Sequence, residues 1–157
     1  MSSRLINLFL FALTSLVLQV WLGQSTNLVP DFALVTLVVL AFFAKFHEIF
    51  LFSSIYFLVL SSRPVPGEEL WLILLAPAVI LFIRTYSPWQ SWISNQLANF
   101  LVLMTNYFLV LSNNLERMWA LDFIGLIVIN LVFAGSTFYI LRYMAGYSSQ
   151  KTSWQGY

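Results

Sequence analysis

The sequence predicts an all-α integral membrane protein: six transmembrane helices in a bundle, with both termini in the cytoplasm. Three observations carry that expectation. Hydrophobic residues fill 61% of the 157 positions and charged residues 8%, where an average soluble protein is about a quarter charged; mean hydropathy is +0.86. The apolar residues fall into six runs separated by polar, proline or glycine breaks. Lysine and arginine gather in alternate breaks, as the positive-inside rule requires of a chain that crosses a bilayer repeatedly.

The first run, Leu5 to Leu22, follows Arg4. A basic residue before an apolar stretch also marks a secretory signal, but this run is long for one. It lacks a small-x-small cleavage site and carries Gln19, so it is expected to be a retained span. Gly23 to Thr26 form the turn. Span two, Asn27 to Ala44, begins with polar and helix-starting residues: Pro30, whose missing N–H costs nothing in a first helical turn, and Asp31 where the helix dipole is positive. From Phe32 to Ala44 it has no charge and is apolar on every face, which places such a helix among lipid or among other helices.

Lys45-Phe46-His47-Glu48 reads as a short charged break. Span three, Ile49 to Ser62, is shorter than the ~20 residues of a perpendicular crossing, so a re-entrant segment competes with a full span. Arg63 to Glu69, with two prolines and a glycine, is a loop. Span four, Leu70 to Ile83, holds Pro77, which is expected to kink it. Thr85 to Trp92 belongs in the headgroup layer, span five runs from Ile93 to Leu111, and Glu116, Arg117, Trp119 and Asp122 lie in the next connection. Span six is Phe123 to Leu141. One domain, residues 1–143, is expected, followed by a polar cytoplasmic tail over 144–157.

With six crossings, one side collects Arg4, Lys45, Arg84, Arg142 and Lys151, and the other Arg63 and Arg117. The five-to-two bias puts both termini in the cytoplasm. Were Ile49 to Ser62 not to cross, the later loops would exchange sides and the segregation would vanish. The charges therefore favour six spans independently of run length.

Intramembrane polar groups are costly and usually functional. No ionisable residue falls at the centre of a predicted span, which argues against a proton relay, a voltage sensor or a transporter with a buried carboxylate. On span five, Asn95, Asn99 and Asn106 lie within about 40° of one another along roughly 16 Å of helix, and Asn130 sits deep in span six. Interhelical bonding, a groove for a partner helix and a ligand pocket all remain open for these carboxamides. Ala134-Gly135-Ser136-Thr137 is a small-residue patch that allows close helix approach.

Catalysis finds little support. The chain has no cysteine, which removes disulfides, thiolate metal sites and thiol chemistry together. His47 is the only histidine; with Glu48 it makes no His-Glu-x-x-His motif and is expected to be a solvated loop pair. Ser136 has no accompanying base, and no glycine loop is built to cradle phosphate, so no cofactor is expected. Asp31, Glu68, Glu69, Glu116 and Asp122 fall on the outer face. Helix N-termini explain most of them, and a negative rim for a basic partner is the alternative.

Leu16-Val17-Leu18-Gln19, a short turn, and Val29-Pro30-Asp31-Phe32 opening a long apolar helix resemble the rod shape-determining protein MreD family of the bacterial inner membrane. The resemblance covers most of the chain in length and span layout; in sequence it rests on Gln19, Pro30 and Asp31. Ser53 and Ser54 stand where the family places small residues on its third span, and Ser61-Ser62 where it turns. Leu58 occupies the position of the family's usual acid. The resemblance implies a non-enzymatic scaffold of the peptidoglycan elongation machinery, partnered by MreC, a bitopic protein, and beyond it by cytoskeletal MreB and the peptidoglycan synthases. It also implies a bundle similar to the substrate-binding subunits of energy-coupling-factor vitamin transporters. A vitamin-binding importer subunit, with Ala76 and Ala78 toward a coupling subunit, is the alternative, as is an accessory subunit of another membrane complex. The residues expected to serve packing or partner contact are Gln19, Pro30, Asp31, Asn95, Asn99, Asn106, Asn130 and Gly135.

Overall fold

The computed structural model describes residues 3–25, 31–62, 70–86, 92–113 and 120–144. Among them are six helices and no strand: α1 (Ser3–Ser25), α2 (Phe32–Ala41), α3 (Phe46–Ser61), α4 (Leu70–Tyr86), α5 (Trp92–Asn113) and α6 (Ala120–Met144). Successive helices reverse direction. α1 and α3 run side by side in the same sense, with Phe9 against Phe52 and Ser15 against Tyr56. α5 and α6 run opposite ways, so that Asn95 meets Ala134 while Tyr107 meets Phe123.

The helix boundaries follow from their end groups. α3 starts at Phe46, earlier than the charged break suggested, because Glu48 turns back to accept a hydrogen bond from the Lys45 N–H at 2.7 Å. A carboxylate at that place satisfies an orphan donor and complements the helix dipole. The expectation that His47 and Glu48 form a solvated loop pair is corrected on that point: His47 is exposed, whereas Glu48 is buried in the first helical turn. Asp122 is helical rather than part of a connection, and α4 continues without interruption through Pro77.

α2 lies at the centre. It packs against each of the other five helices, and every residue from Phe32 through Ala44 is buried. Instead of continuing as helix to Ala44, α2 closes at Ala41 with a tight turn in which the Phe42 and Phe43 N–H groups bond the Val39 and Leu40 carbonyls at 3.0 and 2.9 Å. Phe43 then packs at a tilt against Phe138 of α6, 5.2 Å between ring centroids, and Phe32 meets Phe133 at 4.4 Å.

Helix length bears on the expectation of six spans. Among the described residues one helix, Phe123–Met144, is by itself long and apolar enough to cross a membrane, while Ile6–Leu22, Phe32–Ala41, Phe46–Ser61 and Leu70–Phe82 are shorter apolar helices. α2, with 10 residues, rises only about 15 Å, half the ~30 Å of a hydrocarbon core.

Candidate functional site

The polar side chains of the interior converge on the two ends of α2 and on the α5–α6 seam beside it. At the start of α2, Asp31 occupies the N-cap, yet its side chain makes no capping bond. The orphan N–H of Ala33 is instead satisfied from outside the helix, by Gln19 Oε1 of α1 at 3.3 Å. The Asp31 carboxylate faces the other way and accepts a bond from Asn106 Nδ2 of α5 at 2.9 Å. The Tyr107 hydroxyl also donates a hydrogen bond to it. Tyr107 in turn receives Asn130 Nδ2 of α6 at 2.9 Å, and the same amide group donates to the Leu126 carbonyl at 3.0 Å. One carboxylate thus ties α2, α5 and α6 together. Helix-dipole compensation alone, the simple expectation for Asp31, misses this cross-link.

At the opposite end, Arg84 of α4 places one guanidinium nitrogen 3.0 Å from the Ala41 carbonyl and 3.1 Å from that of Ala44. The last carbonyls of a helix lack intrahelical donors, and a cation there also complements the dipole. Both ends of the shortest helix are therefore held by side chains of its neighbours.

Along the seam, Asn95 Nδ2 reaches the Ala134 carbonyl at 3.5 Å and Gln96 Nε2 that of Leu131 at 3.2 Å. Asn99 Nδ2 turns back to the Asn95 carbonyl and side-chain oxygens at 2.9 and 3.1 Å. The carboxamide stripe of Asn95, Asn99 and Asn106 is thus internal along its whole length, and Asn130 of α6 is buried as well. Gly135 faces this stripe. A methyl group on it would lie 2.7 Å from Gln96 Nε2 and 3.4 Å from Trp92 Nε1, so the small residue makes room for a hydrogen-bonded side chain rather than for a second backbone. Pro30, the remaining candidate, lies outside the described residues.

Four contributors escaped the sequence reading: Gln96, Tyr107, Arg84 and the Ser15–Tyr56 pair. Tyr56 of α3, fully buried, donates to the Ala12 carbonyl of α1 and bonds Ser15, which pins α1 to α3. A tyrosine centred in a predicted span was the available signal, since a buried phenol needs a partner. Arg84 enters the sequence reading only as one of the basic residues on the cytoplasmic side.

The outer surface is the reverse of the interior. On α1, Phe9, Leu13, Val17 and Trp21 are exposed at helical spacing; on α5, Ile93, Leu97, Leu101 and Phe108; on α6, Ile124, Val128 and Val132. The exposed hydroxyls of Thr14, Thr105 and Ser136 each bond the carbonyl four residues back, on their own helix. Ser136, which has no accompanying base, is thus bonded to its own helix. Among the described residues no group of three His, Cys, Asp or Glu side chains is arranged to hold a metal ion. No family model, curated protein or solved structure matches the chain.

Proposed function

We propose that the chain is a multi-pass inner-membrane protein of bacteria, its helices traversing the bilayer six times with both termini cytoplasmic, and that it acts as a non-enzymatic scaffold of the MreD type in peptidoglycan elongation. The observation that carries the membrane part is the inverted distribution of side chains. Carboxamides, a carboxylate and a tyrosine are inside and bonded from helix to helix, while large apolar side chains cover the outside. Water would reverse that arrangement; a contiguous exposed apolar surface on a soluble monomer rarely exceeds a few hundred Å². Exposed hydroxyls folded onto their own helix are what hydrocarbon demands.

The short helices fit this reading on physical grounds. A span need not cover the hydrocarbon thickness with regular helix where its ends are enclosed by protein, and α2 is enclosed by five helices. α1 and α5, with 23 and 22 residues, rise about 34 and 33 Å. Asn95, Asn99 and Asn106 depress the hydropathy of α5, yet all three are buried.

Support for the scaffold role comes from the resemblance residues. Gln19 and Asp31, far apart in the sequence pattern that suggested the family, act on the same end of one buried helix. The interior polar groups serve packing between helices, and the apolar exterior supplies surface for a bitopic partner of the MreC type. Deleting the gene in a rod-shaped host and purifying the tagged protein in mild detergent tests this. The expected outcome is rounded cells and co-purification of a bitopic membrane protein of the elongation complex. Rod-shaped deletion cells with no such partner recovered would overturn it.

A further inference from the structure

We infer that the rim around the turn between α2 and α3 binds the headgroup of an anionic phospholipid through Lys45, Arg84 and Arg142, with the acyl chains against exposed rings of α3 and α4. The sequence puts these cations on one side of the chain, and the structure brings them to one turn. Arg84 Nη1 is 3.1 Å from the Ala44 carbonyl, the carbonyl joined to the Lys45 nitrogen, and Lys45 itself is exposed. From the other flank, Phe138 of α6 packs against Phe42 and Phe43 with ring centroids 6.4 and 5.2 Å away. α2 and α6 run in the same sense here, since Phe32 meets Phe133 and Phe43 meets Phe138. Arg142, exposed and one helical turn past Phe138, therefore extends beyond the ring contact as Lys45 does.

The charge at this rim is unbalanced. Both carbonyls that Arg84 caps are held by Nη1, and its Nε and Nη2 bond no other described residue. Those two nitrogens form an edge by which an arginine takes two oxygens of one phosphate. Among the described residues Glu48 is the one acid at this end; it is buried in the first turn of α3 with its carboxylate on the Lys45 N–H. No described carboxylate forms an ion pair with Lys45, Arg84 or Arg142.

What adjoins the cations selects an amphiphile. Phe46 and Phe50, one turn apart at the start of α3, are 70% and 66% exposed, and Phe82, two residues before Arg84, is 65% exposed. A basic rim that passes directly into exposed rings matches a molecule with phosphate at one end and hydrocarbon at the other. An acidic protein segment would leave the rings bare. Lysine and arginine stems lie along such an apolar surface while their heads stay at the phosphate level. In the proposed topology this rim is the cytoplasmic one, where anionic lipids supply the negative surface.

The test is native mass spectrometry of the full-length protein in detergent, offered equal amounts of phosphatidylglycerol and phosphatidylcholine. The anionic lipid is expected to be retained in roughly tenfold excess. Lys45→Gln combined with Arg142→Gln, at two exposed positions, is expected to bring the two lipids close to parity. Arg117→Gln, a cation that the sequence puts on the other side, is expected to leave the excess unchanged. Glycerol 1-phosphate or a polyglutamate peptide in excess is expected not to displace the lipid; displacement by either would give the rim to a soluble anion or an acidic protein segment and overturn the inference. So would equal retention of both lipids, or an excess that survives the double variant or falls equally in Arg117→Gln. The inference rests on the membrane part of the proposed function and not on the scaffold role. Release of the protein from cell membranes by alkaline carbonate without detergent would remove that part. A protein that stays in washed membranes yet takes both lipids equally fails only here.

Discussion

α2 and α6 look alike in sequence and differ in what surrounds them. Each is apolar around its full circumference, so neither shows a preferred face. α2 is buried on every side over 10 residues, whereas α6, with 25 residues, alternates buried Leu126, Ile127 and Ala134 with exposed Ile124, Val128 and Val132. The same pattern thus has two causes: a helix enclosed by helices, and a helix with protein on one side and an exposed apolar face on the other. In the proposed bilayer setting, where lipid supplies no hydrophobic drive between helices, packing and polar bonds decide the arrangement.

Truncation should separate the two helices most strongly. Leu37→Ala, at a side chain with 0% exposure on α2, is expected to cost about 2 kcal/mol or more, because the cavity and the lost dispersion contacts remain even where transfer from lipid contributes nothing. Val132→Ala, at 65% exposure on α6, should change stability by less than about 0.5 kcal/mol. Thermal unfolding in one detergent compares them, and equal losses would break the distinction.

The ends of α2 come next. Asp31→Leu strands the donors of Asn106 and Tyr107 and is expected to cost about 1–3 kcal/mol, with Asp31→Asn costing less because it keeps an acceptor. Arg84→Leu removes the shared donor of two carbonyls and should cost a similar amount, read as faster hydrogen exchange in the turn after α2. Gly135→Ala displaces the bonded end of Gln96, a flexible side chain, for about 1 kcal/mol. Ser136→Ala, which removes only a bond to its own helix, should fall within about 0.5 kcal/mol; a large loss there would mean that this face meets protein.

The sequence disclosed much of this. Six helices and their order followed from the runs, and the 40° clustering put Asn95, Asn99 and Asn106 on one helix face, where all three are buried. What it could not disclose was pairing. Asn106 finds Asp31 across 75 residues and Arg84 finds Ala41 across 43, and nothing local to Arg84 distinguishes a helix cap from a loop cation. Helix starts were misplaced where a charge served the helix, as at Glu48. The end of α2 was missed because Phe42, Phe43 and Ala44 carry no breaking residue; the turn is imposed by packing against Phe138.

Transmembrane placement is the claim on which the rest depends, and single-cysteine labelling tests it directly, since the native chain has none. Lys45 before α3 and Ser62 after it are both exposed and lie at opposite ends of that helix. In right-side-out membrane vesicles, a membrane-impermeant maleimide is expected to label Ser62→Cys and to reach Lys45→Cys only after permeabilisation. Labelling of both variants in sealed vesicles, or of Lys45→Cys alone, would contradict it.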